Sequence, residues 1–140
     1  MTRQGRMFVT ALAMTTAVWG VGIGTRTVSA QDATSVNDGV YTDAQAARGK
    51  DTYEKVCAAC HEPSRFNGKE FASAWSGKPL ANLWDAVQTM PMDNPGSLKP
   101  QEYADILAHM LKQNGYPAGQ KELPGSADVM KTLKVEEKKP

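Results

Sequence analysis

Apolar residues in this chain recur at helical spacing in four stretches, separated by proline and glycine. The first runs from Thr42, where Thr42 and Gln45 form a capping-box pattern that answers the free amide donors of a helix start. From there Ala46, Gly49, Tyr53, Val56, Cys57 and Cys60 share one helical face. Pro63, Asn67 and Gly68 mark loop, and Phe71 with Trp75 predicts a short helix before Gly77. Pro79 then opens a helix whose apolar face is Leu80, Leu83, Trp84 and Val87. Pro91 stops it and pushes Met90 toward extended geometry, which frees the Met90 side chain to turn elsewhere.

Asn94-Pro95-Gly96 reads as a turn, and Pro100 opens the last long helix, with Tyr103, Ile106, Leu107, Met110 and Leu111 as its stripe. Lys99 is a poor residue for its N-cap, whereas Asn114-Gly115 and Pro117 give a clear stop. No strand-period segment exceeds a few residues, so the fold class expected is all-α. Residues 31–41 are mostly small and polar and read as a flexible lead-in. Residues 120–140 are charged and proline-flanked, a tail expected to lie across the surface and to touch it through Leu123, Val129, Met130, Leu133 and Val135.

The N-terminus follows a different pattern. Arg3 and Arg6 precede an uncharged, largely apolar run from Met7 to Gly24, and Val28-Ser29-Ala30 closes it with small residues. These are the parts of a secretory signal, with cleavage after Ala30. An uncleaved anchor is the rival, because eighteen uncharged residues lie at the short end of what spans a bilayer. Residues 31–140 keep 13 of the 16 Lys and Arg and all 15 Asp and Glu, a formal charge of −2. That balance gives no clustered basic surface for nucleic acid.

Chemistry concentrates in Cys57-Ala58-Ala59-Cys60-His61. Two cysteines three apart with a histidine behind the second is the spacing of c-type haem attachment. On a helix these three side chains fall within an arc of roughly 100°. One face would then carry two thiols that can add to the haem vinyl groups and an imidazole that can bind iron. They are the chain's only cysteines. A structural zinc site would need four ligands, and beyond the motif the chain offers only His109. A redox dithiol would need a βαβ context. His109 lies roughly 130° from the centre of its helix's apolar stripe, so a solvent-facing side chain is expected.

The sequence resembles the small monohaem class I c-type cytochromes, and most of all those that work beside bacterial quinone-cofactor (PQQ) dehydrogenases. The resemblance is carried by Gly49 and Tyr53 before Cys57-Ala-Ala-Cys60-His61, then by Gly68, Trp75-Ser-Gly77, Leu80 and Leu83. It continues through Thr89-Met90-Pro91, Pro95-Gly96-Ser97-Leu98, Tyr103-Ala-Asp105-Ile106-Leu107-Ala108, and Asn114-Gly115-Tyr116-Pro117-Ala118-Gly119 with Glu122-Leu123.

The resemblance implies a class I cytochrome c fold over residues 42–119, a small helical domain wrapped around one covalent haem c. In it Cys57 and Cys60 are the thioether anchors, His61 the proximal iron ligand and Met90 the distal one. Met92, also beside Pro91, is the alternative to Met90 but enters the following turn. Trp75, Leu80 and Trp84 are candidates for packing on the haem, with plain core packing as the competing reading. Tyr53 and Tyr103 are assigned to helix packing, with Gly49 allowing a close approach to Tyr103. Many relatives offer a backbone carbonyl to the second nitrogen of the proximal histidine from a Gly-Pro or Pro-Leu stretch. Here that stretch reads Phe66-Asn-Gly-Lys-Glu-Phe71, which leaves the source of that bond open.

The function implied is one-electron transfer in the periplasm rather than enzymatic turnover, because iron held by His and Met has both axial positions filled. The partners implied are a dehydrogenase as donor and an oxidase or another cytochrome as acceptor, with no nucleic acid, and the membrane only if the signal segment is retained. Two alternatives keep the same haem motif. One is a fixed subunit of a dehydrogenase or oxidase complex, with the tail from Lys121 as its contact. The other is a haem enzyme or gas-binding protein with a labile distal site. Intact mass from the native host checks the export reading: a chain beginning near Gln31 is expected, and a membrane-bound chain retaining residues 1–30 would favour the anchor.

Overall fold

The computed structural model describes residues 34–138. The expected signal segment and its cleavage point lie outside the described residues. Five helices follow in order: α1 Asp43–Val56, α2 Gly68–Trp75, α3 Leu80–Gln88, α4 Pro100–Gln113 and α5 Ala127–Thr132. Short 3-10 turns occupy Val36–Asp38 and Pro63–Phe66. Among the described residues there is no strand, only isolated bridges that join Lys134 to Ser35 and to Pro79. The fold is all-α.

The core is built where α1 crosses α4. Gly49 makes that crossing possible, because a Cβ placed there would sit 1.7 Å from the carbonyl oxygen of Asp105 and 2.3 Å from its carbonyl carbon. The helix backbones touch at a point where no side chain fits. The close approach predicted to Tyr103 is thus made to the Asp105 backbone, about half a turn further along α4. Leu107, Leu111 and Ala104 of α4 are fully buried beside it, and Tyr53 and Ala46 of α1 complete the seam.

A polar clamp locks one end of this crossing. Gln45 is 0% exposed; its amide nitrogen donates to Asp105 Oδ1 (3.0 Å) and to the carbonyl of Leu123 (2.8 Å). Its amide oxygen accepts from the Leu123 backbone N–H at 2.7 Å, so Gln45 pairs with the chain as a strand would. Gln101 repeats the bond to Leu123 at 3.0 Å. Arg48 then spans Asp105 (3.0 Å) and Glu122 (2.9 Å), and its bonds to Glu122 and Asp105 hold the guanidinium charged. Satisfying every polar atom is what lets Gln45 and Asp105 sit inside. The capping box is therefore only half formed. Thr42 Oγ1 accepts from the Gln45 backbone N–H, while the Gln45 side chain turns into the core instead of back to the helix start. At α4 the arrangement is the reverse: Lys99 offers no cap, and Glu102 reaches back to the Lys99 N–H at 2.8 Å.

The two terminal segments contribute more than their composition signalled. In the stretch read as a flexible lead-in, Val36, Val40 and Tyr41 are buried, and Tyr41 donates its hydroxyl to the Tyr116 carbonyl at 2.6 Å. Burial, reinforced by the Asp43 charge, pushes the Tyr41 phenol up to about 12. The C-terminal segment, expected on the surface, places Leu123, Met130, Leu133 and Val135 fully inside. Three chain segments meet there: Lys134 exchanges backbone bonds with Thr34 and Val36, Leu80 donates to Leu133, and Gly77 and Val135 pair through Lys78. Leu133 and Val135 reach the core on either side of exposed Lys134 because the extended backbone alternates there, while Met130 is buried on α5.

His109 departs from its expected exposure. It is half-buried, its ring 5.5 Å from that of Tyr53, because the α1–α4 contact is close enough for a side chain on the rim of the stripe to be covered. Burial lowers its pKa below the ordinary value of 6.5; Lys50 and Lys112 push the same way, and Glu54 opposes them.

Two outcomes follow from this packing. Gly49→Ala must force the helices apart or fail to fold, and a loss of about 3 kcal/mol in chemical denaturation is expected. His109 binds its proton more readily unfolded than folded, so its contribution is intact above the unfolded pKa and is lost as pH falls through the lowered folded value. The melting temperature should therefore drop as pH falls below the ordinary histidine value of 6.5, and His109→Gln should make that drop smaller.

Candidate functional site

The cysteine-histidine motif sits just beyond the end of α1. The helix finishes at Val56, and residues 57–60 form consecutive turns rather than a continuation of the helix. One helix-like link persists, from the His61 N–H to the Cys57 carbonyl at 2.9 Å, and it fixes the histidine relative to the first cysteine. Tyr53, one turn back on α1, donates its hydroxyl to the carbonyl of His61 at 2.9 Å. The histidine is thus referred to the α1 axis twice, through the turn and through a phenol.

Cys57 is half-buried and Cys60 exposed, and both are free thiols. Burial pushes the Cys57 thiol up from its usual value, which keeps it protonated at neutral pH. The imidazole of His61 packs against the Phe66 ring with centroids 5.2 Å apart, in an edge-on arrangement. Its Nδ1 is buried without a hydrogen-bond partner. The stretch after the motif is tied instead to the end of α4. Asn114 donates to the Phe66 carbonyl (2.8 Å) and accepts from the Gly68 N–H (2.9 Å), while Gln113 holds the Pro63 carbonyl. Asn114 read from sequence only as a helix stop, and nothing in local spacing signals its second role.

Met90 reaches the same region from the end of α3. α3 ends at Gln88, and Thr89 and Met90 close it with bonds back to Ala86 and Val87. Tyr103 of α4 donates its hydroxyl to the Met90 carbonyl at 2.8 Å. Met90 is half-buried, whereas Met92 is 80% exposed.

His61 and Met90 both line an apolar cleft of about 210 Å³. Val56 of α1, Leu83 and Val87 of α3, and Ile106 and Met110 of α4 form its walls. A second space of about 400 Å³ borders the same Cys57, His61 and Met90 and extends past Cys60 and Met92. The structure therefore brings Cys57, Cys60, His61 and Met90 to one cleft. Of the three aromatic and aliphatic packing candidates, only Trp75 lines it. Leu80 is turned the other way, fully buried where its N–H meets Leu133. Trp84 is edge-on to Tyr103 at 6.3 Å and forms core behind the cleft wall. Both sit on the apolar face of α3, but that face is wide enough to meet two neighbours, and periodicity does not say which residues meet which.

The donor set suits a metal that arrives with its own equatorial ligands. Among the described residues no three His, Cys, Asp or Glu side chains converge to cage an ion. What the cleft offers instead is one imidazole and one thioether lining the same apolar slot, with the two thiols next to the histidine in the chain. Apolar walls with few polar groups have the character of sites for organic cofactors. His61 presents an unpartnered imidazole at this slot, and with Nε2 as the metal-binding atom the Nδ1–H would point into protein. The residues present therefore fit a haem.

Residues 44–110 match the family model described as cytochrome c oxidase, cbb3-type, subunit III. Among curated proteins and among solved structures, none matches the chain. The matched stretch contains α1, α2, α3 and most of α4, and with them both cysteines, His61 and Met90. Over residues 44–110 the chain is thus similar to the cytochrome c family, a match that implies a small helical domain for haem-based electron transfer.

Proposed function

We propose that the protein is an exported one-electron carrier holding a single covalent haem c, with thioether links at Cys57 and Cys60 and with His61 and Met90 as axial iron ligands. The observation that carries this reading is that His61 and Met90 line one apolar cleft, with Cys57 and Cys60 at the adjoining space that both also border. The haem would supply an iron that cycles between two oxidation states without opening a coordination position. The chain's own residues do the rest. Leu83, Val87, Ile106 and Met110 exclude water from the cleft, which lowers the local dielectric and favours the less charged, reduced state. Phe66 and Tyr53 fix the plane and the backbone of His61. A sulfur ligand raises the potential relative to a second imidazole.

The N-terminal segment's basic start, apolar run and small-residue ending support delivery to the periplasm, where c-type haems would meet a dehydrogenase as donor and an oxidase or another cytochrome as acceptor. The resemblance to cytochromes beside PQQ dehydrogenases favours that class of donor. One observation favours a second reading, a fixed subunit of an oxidase: the matching family model is described as an oxidase subunit. Migration of the haem in detergent-solubilised host membranes separates the two. A free carrier runs near its own mass of about 15.1 kDa or less, and a subunit runs with its complex.

Acidified organic solvent should leave the haem with the protein, and Cys57→Ala or Cys60→Ala should leave at most one thioether. Extraction of the haem from the wild type would sink the covalent assignment. Met90→Ala should open the sixth position, lower the potential and let carbon monoxide bind the reduced haem. Met92→Ala should change neither, since that side chain points to solvent. If the Met92 variant alone loses its thioether ligand, the assignment is reversed. Carbon monoxide binding as readily to the wild type as to an open-site haem protein would instead favour the gas-binding or enzyme reading.

A further inference from the structure

The chain has four tyrosines, and every one donates its hydroxyl to a backbone carbonyl. Two of these bonds fasten the frame: Tyr41 to Tyr116, and Tyr116 to Glu136. The other two go to His61 and to Met90. We propose that Tyr53 and Tyr103 are positioning residues for the two iron ligands, each hydroxyl pinning the backbone of one ligand residue to one of the two crossing helices. The proposal rests on the reading of His61 and Met90 as axial ligands.

The geometry gives the two hydroxyls a role beyond packing. Tyr53 and Tyr103 both line the cleft, one from α1 and one from α4. Their helices are held against each other at Gly49 by direct backbone contact, so the two phenols are fixed with respect to one another. Neither ligand residue lies on a helix. His61 follows the turns after α1, and Met90 follows the end of α3. Without an outside fastening, each would be free to move with its loop.

The distal side depends on its fastening more. From Met92 to Ser97 the loop is exposed, and its own backbone bonds are two turns, Asn94 to Pro91 and Ser97 to Asn94. Leu98 is the first residue after Pro91 to pack against the core. The Tyr103 hydroxyl lies 2.8 Å from the Met90 carbonyl and 3.5 Å from the Leu98 N–H, so it sits between the two ends of the loop. Swinging the loop away from the cleft breaks the bond to Met90, whereas the loop in place keeps it. The hydroxyl therefore favours the state with the thioether on the iron. On the proximal side the same bond is backed by the His61-to-Cys57 link. Losing the Tyr53 hydroxyl should tilt the imidazole rather than release it.

Three tyrosine-to-phenylalanine variants of the haem-loaded protein test this, because each removes one donor and leaves the ring in place. Tyr103→Phe should bind carbon monoxide in the reduced state about fivefold to tenfold more tightly than the wild type, the worth of one neutral hydrogen bond. Its weak far-red band from thioether-ligated ferric haem should also vanish at a lower temperature. Placing p-aminophenylalanine at 103, which restores a donor, should return both readouts toward the wild type. In a Met90→Ala background, where the reduced iron is five-coordinate, Tyr53→Phe should shift the iron-histidine vibration. Tyr41→Phe, equal in chemistry but outside the cleft, should lower the melting temperature and leave every ligand readout alone.

If Tyr53→Phe and Tyr103→Phe lose stability as Tyr41→Phe does, with ligand readouts at wild-type values, the hydroxyls are structural and the proposal is wrong. A wild type that lacks the far-red band overturns the ligand assignment itself, and this proposal with it. The two failures are told apart by that one wild-type spectrum.

Discussion

The contact between Gly49 and the Asp105 carbonyl is the constraint on which the rest depends. Two helix backbones meet there with no side chain between them, and the polar atoms around the contact are all spoken for. Asp105 receives Gln45, Arg48 and Gln101, and Gln45 carries the connection on to Leu123. A buried carboxylate is tolerated only because of these partners. The clamp joins α1, α4 and the segment after α4 into one body, and that body is the reference frame for the site.

Each half of the site is then attached to one member of the helix pair. α1 runs directly into Cys57, so the proximal side inherits its position from the chain itself. α3 ends on Met90, but α3 is short, and the loop after it is exposed, so the distal side borrows its position from α4 through Tyr103. This difference in attachment matters for an electron carrier. On the proposed ligation, reorganisation on changing oxidation state is small only if His61 and Met90 both stay put, and Met90 is the one with less chain behind it. The apolar walls contributed by all three helices complete the environment, with water kept from a cofactor whose charge changes by one unit.

Much of this was legible in the sequence. Period 3.6 placed α1, α3 and α4 and their inward faces, and prolines marked where they start or stop. The Cys57-Cys60-His61 spacing points to haem chemistry, and Pro91 favours Met90, which lines the cleft, over Met92, which is exposed. What escaped was contact between elements. Gln45 reads locally as a capping residue, and only the arrival of Leu123 from far along the chain makes it a core bridge. Tyr53 and Tyr103 were correctly placed on helix seams, but a hydroxyl's partner is a matter of tertiary geometry. Leu80 and Trp84 share a face with Leu83 and Val87, yet one end of that face meets α5 and α4 while the other meets the cleft. Val36, Met130 and Leu133 sit in stretches too short and too charged to show a period, and their burial depends on backbone pairing between the two ends of the chain.

The account stands on a haem gripped between His61 and Met90, and the optical spectrum of the purified wild-type protein in both oxidation states tests that grip most directly. A low-spin spectrum in both states, with the weak far-red band in the oxidised form, is the result the account predicts. A high-spin oxidised spectrum without that band, or one characteristic of two nitrogen ligands, would contradict it.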